Sequence, residues 1–202
     1  DAHLPDGMRL YPGVSYRHCL VWDNDAPDLG DLTPPHDISG RVIGDYLPGS
    51  PAAAPLRYWM EQSCAILRDH PVNRRRTAAG KRPANAAWFW GQGRKAALQD
   101  FSERFGVQAA VISAVDLFKG IGVLAGMEVV EVDGATGYID TNFAGKAQAA
   151  IDAFRRGNDL VYLHVEAPDE CGHRGETQNK VRSIELIDEK ILRPVLRWLG
   201  GQ

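Results

Sequence analysis

Long apolar runs are missing from this 202-residue sequence: nothing approaches the roughly 20 consecutive apolar residues that span a bilayer, so no membrane partner is expected. The opening Asp1-Ala2-His3-Leu4-Pro5-Asp6 lacks the pattern of a signal peptide. Cysteine is scarce. Cys19, Cys64 and Cys171 are odd in number and far apart, without the CxxC pairing of a zinc ribbon or redox motif, and read as reduced thiols of a cytoplasmic protein. Charge of one sign is also lacking, since 23 basic against 26 acidic residues leave a net charge of -3. No global field then attracts nucleic acid, and an anionic substrate must be held by local cations. A phosphate-binding P-loop is absent, because Gly80-Lys81 has neither the preceding glycine nor the following Ser or Thr. There is no initiator Met, and Gly200-Gly201-Gln202 follows directly on a helical pattern; the expectation is a chain cut from a longer protein.

What is present describes a soluble globular chain, 44% hydrophobic and 24% charged. Two unequal units are expected, residues 1–82 as a smaller α+β unit and residues 83–202 as an α/β unit. From Pro83 onward apolar runs alternate with amphipathic stretches, the pattern of βαβ units around a mainly parallel sheet with flanking helices. Strands are expected at 86–90, 108–115, 127–132 and 159–165. Helices are expected at 96–105, stopped by Gly106, at 145–156 and at 178–198, with Pro194 kinking the last. Residues 166–175 read as a polar loop. In the first unit Pro, Gly and Asp dominate from Asp23 to Pro55, with a strand at 14–22 and a helix at 54–69.

The stretch most informative about chemistry is Leu163-His164-Val165-Glu166-Ala167-Pro168-Asp169-Glu170-Cys171-Gly172-His173. Ligands of open α/β sheets bind just beyond the carboxyl ends of the strands, and these acids and imidazoles begin where an apolar strand stops. Asp169 and His173, four residues apart, present a carboxylate and an imidazole to one divalent ion, a set that suits Mn²⁺ or Zn²⁺. Two ligands do not hold a catalytic metal. The competing interpretation is a capping aspartate beside a solvated histidine.

The segment His164 to His173 resembles the PDxxGH metal-binding segment of cofactor-independent (2,3-bisphosphoglycerate-independent) phosphoglycerate mutases. Pro12-Gly13-Val14-Ser15-Tyr16-Arg17-His18, Pro35-His36-Asp37-Ile38, His70-Pro71-Val72-Asn73, Trp90-Gly91-Gln92-Gly93, Ser113-Ala114-Val115-Asp116-Leu117-Phe118-Lys119-Gly120 and Gly134-Ala135-Thr136-Gly137-Tyr138-Ile139-Asp140-Thr141-Asn142 resemble archaeal-type members in the same order. The resemblance implies part of an alkaline-phosphatase-like metal-binding domain plus an inserted substrate-binding domain. It implies an isomerase that interconverts 3-phosphoglycerate and 2-phosphoglycerate through a phosphoenzyme in glycolysis and gluconeogenesis. The cofactor would be a divalent metal, Mn²⁺ first with Zn²⁺, Co²⁺ or Mg²⁺ as alternatives, without 2,3-bisphosphoglycerate. Asp169 and His173 match two ligands of one metal. The remaining ligands and the nucleophile have no match, so no catalytic residue is expected here and the isolated chain is expected to be inactive. Arg17 and His18, in a segment resembling a motif of the inserted domain, are the expected substrate-binding side chains, with Lys119 next. Arg74-Arg75-Arg76 reads as a solvated face.

Other phosphoryl transfer, as in a homoserine kinase or a phosphatase, is the alternative within the same chemistry. A rival from another class is a dinucleotide-binding domain, since Gly91-Gln92-Gly93-Arg94-Lys95-Ala96 fits GxGxxA with Asp116 about twenty residues on. Thr136 has no adjacent base and reads as a turn residue rather than a nucleophile.

Overall fold

The computed structural model describes residues 4, 7–13, 16–23 and 28–201. They fall into two compact units, one of Asp1–Pro12 with His18–Lys95 and one of Gly13–Arg17 with Ala96–Gln202.

In the first unit β1 (Met8–Pro12) and β2 (His18–Trp22) form an antiparallel pair in register from Met8 against Trp22 to Pro12 against His18. Part of the expected strand at 14–22 lies outside the described residues, and its partner β1 carried no alternation that marked it. Helix α1 (Ala54–Arg68) follows the expected span, and α2 (Pro71–Ala78) adds a helix too short and polar for periodicity to show. His70 caps α2, its ring nitrogen accepting from the Val72 amide at 3.3 Å. Asn73 is buried and pins the following chain, donating to the Leu67 and Ala84 carbonyls and accepting from the Ala84 amide. The small core gathers Met8, Leu32, Ala53 and Leu56, with Phe89 packed on it.

That packing corrects the expected boundary. Residues 86–90 form no strand. Their polar groups are satisfied within the first unit: the Ala87 amide by Ser63 Oγ at 2.8 Å and the Trp88 indole N–H by the Thr33 carbonyl at 2.8 Å. The main change of unit lies between Lys95 and Ala96, where 82/83 was expected, and Gly13–Arg17 also belongs to the second unit.

The second unit holds a three-stranded parallel sheet, order β4-β3-β5, from β3 (Ala109–Ile112), β4 (Glu128–Val130) and β5 (Leu160–Leu163). Helix α3 (Phe101–Phe105) is half the expected 96–105. Asp100 accepts from the amides of Ser102 and Glu103 and so fixes the start, while Gly106 at φ 70° closes the end as its position predicted. Helix α4 (Asp116–Leu124) joins β3 to β4, and α5 (Phe143–Arg155) joins β4 to β5. Helix α4 lies so close to the sheet that a Cβ on Gly122 would stand 2.4 Å from Val111 Cγ1.

Residues 166–175 correct a second expectation, because Ala167–His173 form helix α6. Pro168 sits in its first turn, where no N–H is needed, and Ala167 and Cys171, one turn apart, are fully buried. The last helix is interrupted: α7 (Thr177–Ile187) runs into π-helical turns at Asp188–Leu192 before α8 (Arg193–Leu199) resumes. Pro194 then falls in the first turn of α8, so the break expected at this proline is a change of hydrogen-bond ladder just before it. Among the described residues no helix is long and apolar enough to cross a membrane.

Candidate functional site

The carboxyl ends of β3 and β5 supply the site. His164 follows β5 directly, and its amide donates to the Ile112 carbonyl at 2.9 Å, which continues the sheet by one rung. Its ring packs on Phe118 with centroids 4.0 Å apart. His164 Nδ1 lies 3.2 Å from Ser113 Oγ, and Nε2 lies 3.3 Å from Glu166 Oε2. Burial, reinforced by the Lys146 charge, pushes the imidazole pKa down. A neutral ring satisfies both contacts in one tautomer: Ser113 Oγ already accepts from the Val115 amide at 2.9 Å, leaving its proton for Nδ1 while Nε2–H faces Glu166.

Beneath this turn lies Lys146 of α5, a lysine only 1% exposed. Its Nζ donates to the His164 carbonyl at 2.9 Å. Burial lowers its pKa to about 8, against the pull of Glu166. The β5-to-α6 turn is thus tied at the His164 carbonyl by Lys146 and at the His164 ring by Ser113 and Glu166.

Helix α6 carries the two expected metal ligands. Asp169 Oδ2 and His173 Nε2 are 3.4 Å apart on successive turns, with side chains 69% and 62% exposed. Two ligand atoms about 2.1 Å from one ion stand about 3.0 Å apart in octahedral and about 3.4 Å apart in tetrahedral geometry, so the spacing of the pair is within reach of one divalent ion. Among the described residues no group of three or more His, Cys, Asp or Glu is placed to hold an ion.

The adjacent face of α6 holds Arg17. Its Nη2 lies 2.9 Å from Glu166 Oε1 and 3.1 Å from Glu170 Oε1. The Tyr16 hydroxyl donates to the same Glu170 oxygen at 2.5 Å, and the guanidinium carbon sits 4.6 Å from the Tyr16 ring centre. The Tyr16 ring is 63% exposed, yet its hydroxyl is turned against Glu170; burial and that hydrogen bond push its pKa up to about 12. Burial would raise the Glu170 carboxyl, but the Tyr16 hydroxyl and the Arg17 charge outweigh it and hold the pKa below the usual carboxylate value. For Glu166 burial wins over Arg17 and the pKa is raised.

The remaining expected residues are dispersed. Lys119, on α4, pairs through Nζ with Glu131 at 2.6 Å. His18 opens β2 in the first unit. Thr136 donates to Asp140 at 2.6 Å, and its amide donates to Thr141 Oγ1, the contacts of a turn residue. Glu176 accepts from the Tyr138 hydroxyl and from Asn179, tying that turn to the start of α7. The dinucleotide fingerprint lacks its setting: no strand precedes Gly91, no helix follows until Phe101, and Asp116 starts a helix rather than ending a strand. Sequence reading missed Lys146, Ser113 and the pairing of Arg17 with Glu166 and Glu170. Only the apolar spacing of Ala167 and Cys171 hinted at α6.

The chain is similar to known proteins over nearly its whole length. A protein of Methanosarcina acetivorans named 2,3-bisphosphoglycerate-independent phosphoglycerate mutase is 50% identical over 198 residues, covering 98% of this chain and 50% of that protein. One of the same name from Methanothrix thermoacetophila is 51% identical over 195 residues, 96% of this chain and 48% of its own length. The chain therefore spans about half the length of the curated relatives it matches. A solved structure of a Pyrococcus horikoshii protein superposes with a TM-score of 0.55 at 29% identity, over 76% of this chain and 39% of that one. The resemblance seen in the motifs thus extends over nearly the whole chain, and a family model matching residues 23–199 shows that the chain belongs to the metalloenzyme superfamily.

Proposed function

We propose that the protein containing this chain is a metal-dependent, 2,3-bisphosphoglycerate-independent phosphoglycerate mutase acting on 3- and 2-phosphoglycerate. The observation that carries the reading is the Asp169–His173 pair, with a 3.4 Å separation suited to one divalent ion, on a helix that starts beyond the carboxyl end of β5. Relatives of about half identity bearing that name support the reaction. Mn²⁺ is the metal we assign, since a carboxylate with an imidazole suits it. When bound, such an ion neutralises charge on the phosphoryl oxygens as the group moves between neighbouring hydroxyls.

The chain's own residues supply position. Asp169 and His173 offer two ligand atoms. Lys146 holds the His164 carbonyl, and Ser113 and Glu166 hold the His164 ring, so the turn entering α6 has little freedom. Lys119 is the cation we assign to the substrate anion; its Glu131 partner is 71% exposed and readily displaced. With two ligands among the described residues, the 202-residue chain by itself is expected to show no mutase turnover.

The test is phosphoglycerate interconversion by the protein that carries this chain, with and without Mn²⁺, for the wild type, Asp169→Ala and His173→Ala. Metal-dependent turnover lost in both variants is the expected result. Turnover untouched by either substitution would remove the metal pair from the mechanism. A wild type without turnover would shift the activity to another phosphoryl acceptor.

A further inference from the structure

Arg17 was expected to bind the substrate anion, and its surroundings argue otherwise. A guanidinium grips a phosphate or carboxylate bidentately through Nε with Nη2, or through Nη1 with Nη2. Both grips use Nη2. In this structure the two Nη2 protons face two carboxylates, Glu166 Oε1 at 2.9 Å and Glu170 Oε1 at 3.1 Å. An incoming anion would have to displace at least one glutamate.

The same contacts explain something about α6. Glu166, the residue that precedes α6, and Glu170 in its first turn are four residues apart, where two like charges repel across the start of the helix. Helix α6 has seven residues, too few to persist alone in water. Arg17 bridges the repelling pair, Tyr16 adds its hydroxyl to Glu170, and Arg174 reaches Glu170 Oε2 at 3.6 Å. The glutamate side chains are only 13% and 10% exposed, so the bridge is stronger than a solvated surface pair. The segment bearing Arg17 is itself docked: a Cβ on Gly13 would stand 2.6 Å from the Arg17 carbonyl and 2.8 Å from Asp116 Oδ2.

We propose that Arg17 is a positioning residue: it staples the turn of α6 between Glu166 and Glu170 and thereby fixes the spacing of Asp169 and His173, rather than binding the substrate. The consequence for the metal rests on the metal-pair reading given above; the stapling of the helix does not. Residues that orient metal ligands from behind commonly change metal affinity by about 10- to 100-fold when removed.

The test compares the wild-type chain with Arg17→Met, Arg17→Lys and the double variant Arg17→Met/Glu166→Gln. Amide hydrogen exchange is followed at residues 170–174, whose amides include Glu170 N to Glu166 O and Arg174 N to Glu170 O. Exchange there is expected to quicken about tenfold or more in Arg17→Met, with β3 and α5 unchanged. Arg17→Lys, which keeps the charge, and the double variant, which removes the repulsion, should both recover protection. In the protein that carries this chain, Mn²⁺ affinity, read from the electron paramagnetic resonance of the free ion, should fall about tenfold in Arg17→Met and recover in step with the protection. Unchanged α6 exchange in Arg17→Met would overturn the proposal, as would quickened exchange that neither companion variant repairs. Absence of Mn²⁺ binding in the wild-type protein that carries this chain would count against the metal reading alone, and the exchange data would still decide the role of Arg17.

Discussion

Replacing Lys146 by methionine should change how stability depends on pH more than how large it is at neutrality. The ammonium is 1% exposed, donates to the His164 carbonyl, and has its pKa pushed by burial from 10.5 to about 8. The folded chain therefore holds this proton less tightly than the unfolded chain. Below about pH 8 both states are protonated and the folded state bears the full desolvation cost, up to about 3 kcal/mol. Between pH 8 and 10.5 the folded state releases the proton and the cost is relieved, so this group makes stability rise with pH, by up to about 2 kcal/mol from pH 7 to 9.5. Lys146→Met abolishes that term and strands the carbonyl, which costs about 1 to 3 kcal/mol. At pH 7 the two effects nearly cancel; at pH 9.5 the balance moves against the variant. Urea unfolding at both values, followed by tryptophan fluorescence, measures the difference between the two proteins, in which the other titrating groups cancel. A difference that stays constant between pH 7 and 9.5 would refute the reasoning.

Gly122→Ala places a methyl 2.4 Å from Val111 Cγ1 in the central strand, and overpacking of this kind costs about 1 to 3 kcal/mol despite alanine's better helix propensity. Thermal unfolding should show the loss, and a second change, Val111→Ala, should couple favourably with it; simple additivity would mean that the clash is not the cause. Glu170→Gln removes the anionic acceptor of the Tyr16 hydroxyl, so the phenol pKa should fall from about 12 toward the ordinary value near 10. Ultraviolet titration of tyrosinate reads this directly, and an unmoved high-pH step would place the cause elsewhere. NAD should leave the tryptophan fluorescence unchanged, because residues 91–96 lack the strand and helix that build a pyrophosphate cradle; quenching on addition would revive that rival.

How far the sequence could be read follows from the range of the interactions involved. Helix α1, helix α5 and the strands of the parallel sheet were visible because amphipathic spacing and apolar runs are local properties of the chain. Gly106 as a helix stop was visible for the same reason. The Asp169–His173 spacing was legible too, since four residues along a helix return to the same face. Residues 86–90 misled, because an apolar run bounded by glycines signals burial and extension without saying which core receives it. Helix α6 was hidden by its own charges: a seven-residue helix rich in acids has almost no apolar stripe, and its buried residues are Ala167, Cys171 and the charged Glu170.

By itself, then, the sequence determined the α/β character, the order of the parallel-sheet elements and the spacing that brings Asp169 and His173 together, all of which depend on residues within a turn or a strand of one another. Only the tertiary structure decided that Lys146 holds the His164 carbonyl, that the chain divides at Lys95 and Ala96, and that Arg17 meets Glu166 and Glu170. Arg17 and these glutamates lie 149 and 153 residues apart along the chain, and no local pattern records such a pairing. It exists because the fold brings Arg17 to the side of a short helix beside Glu166 and Glu170.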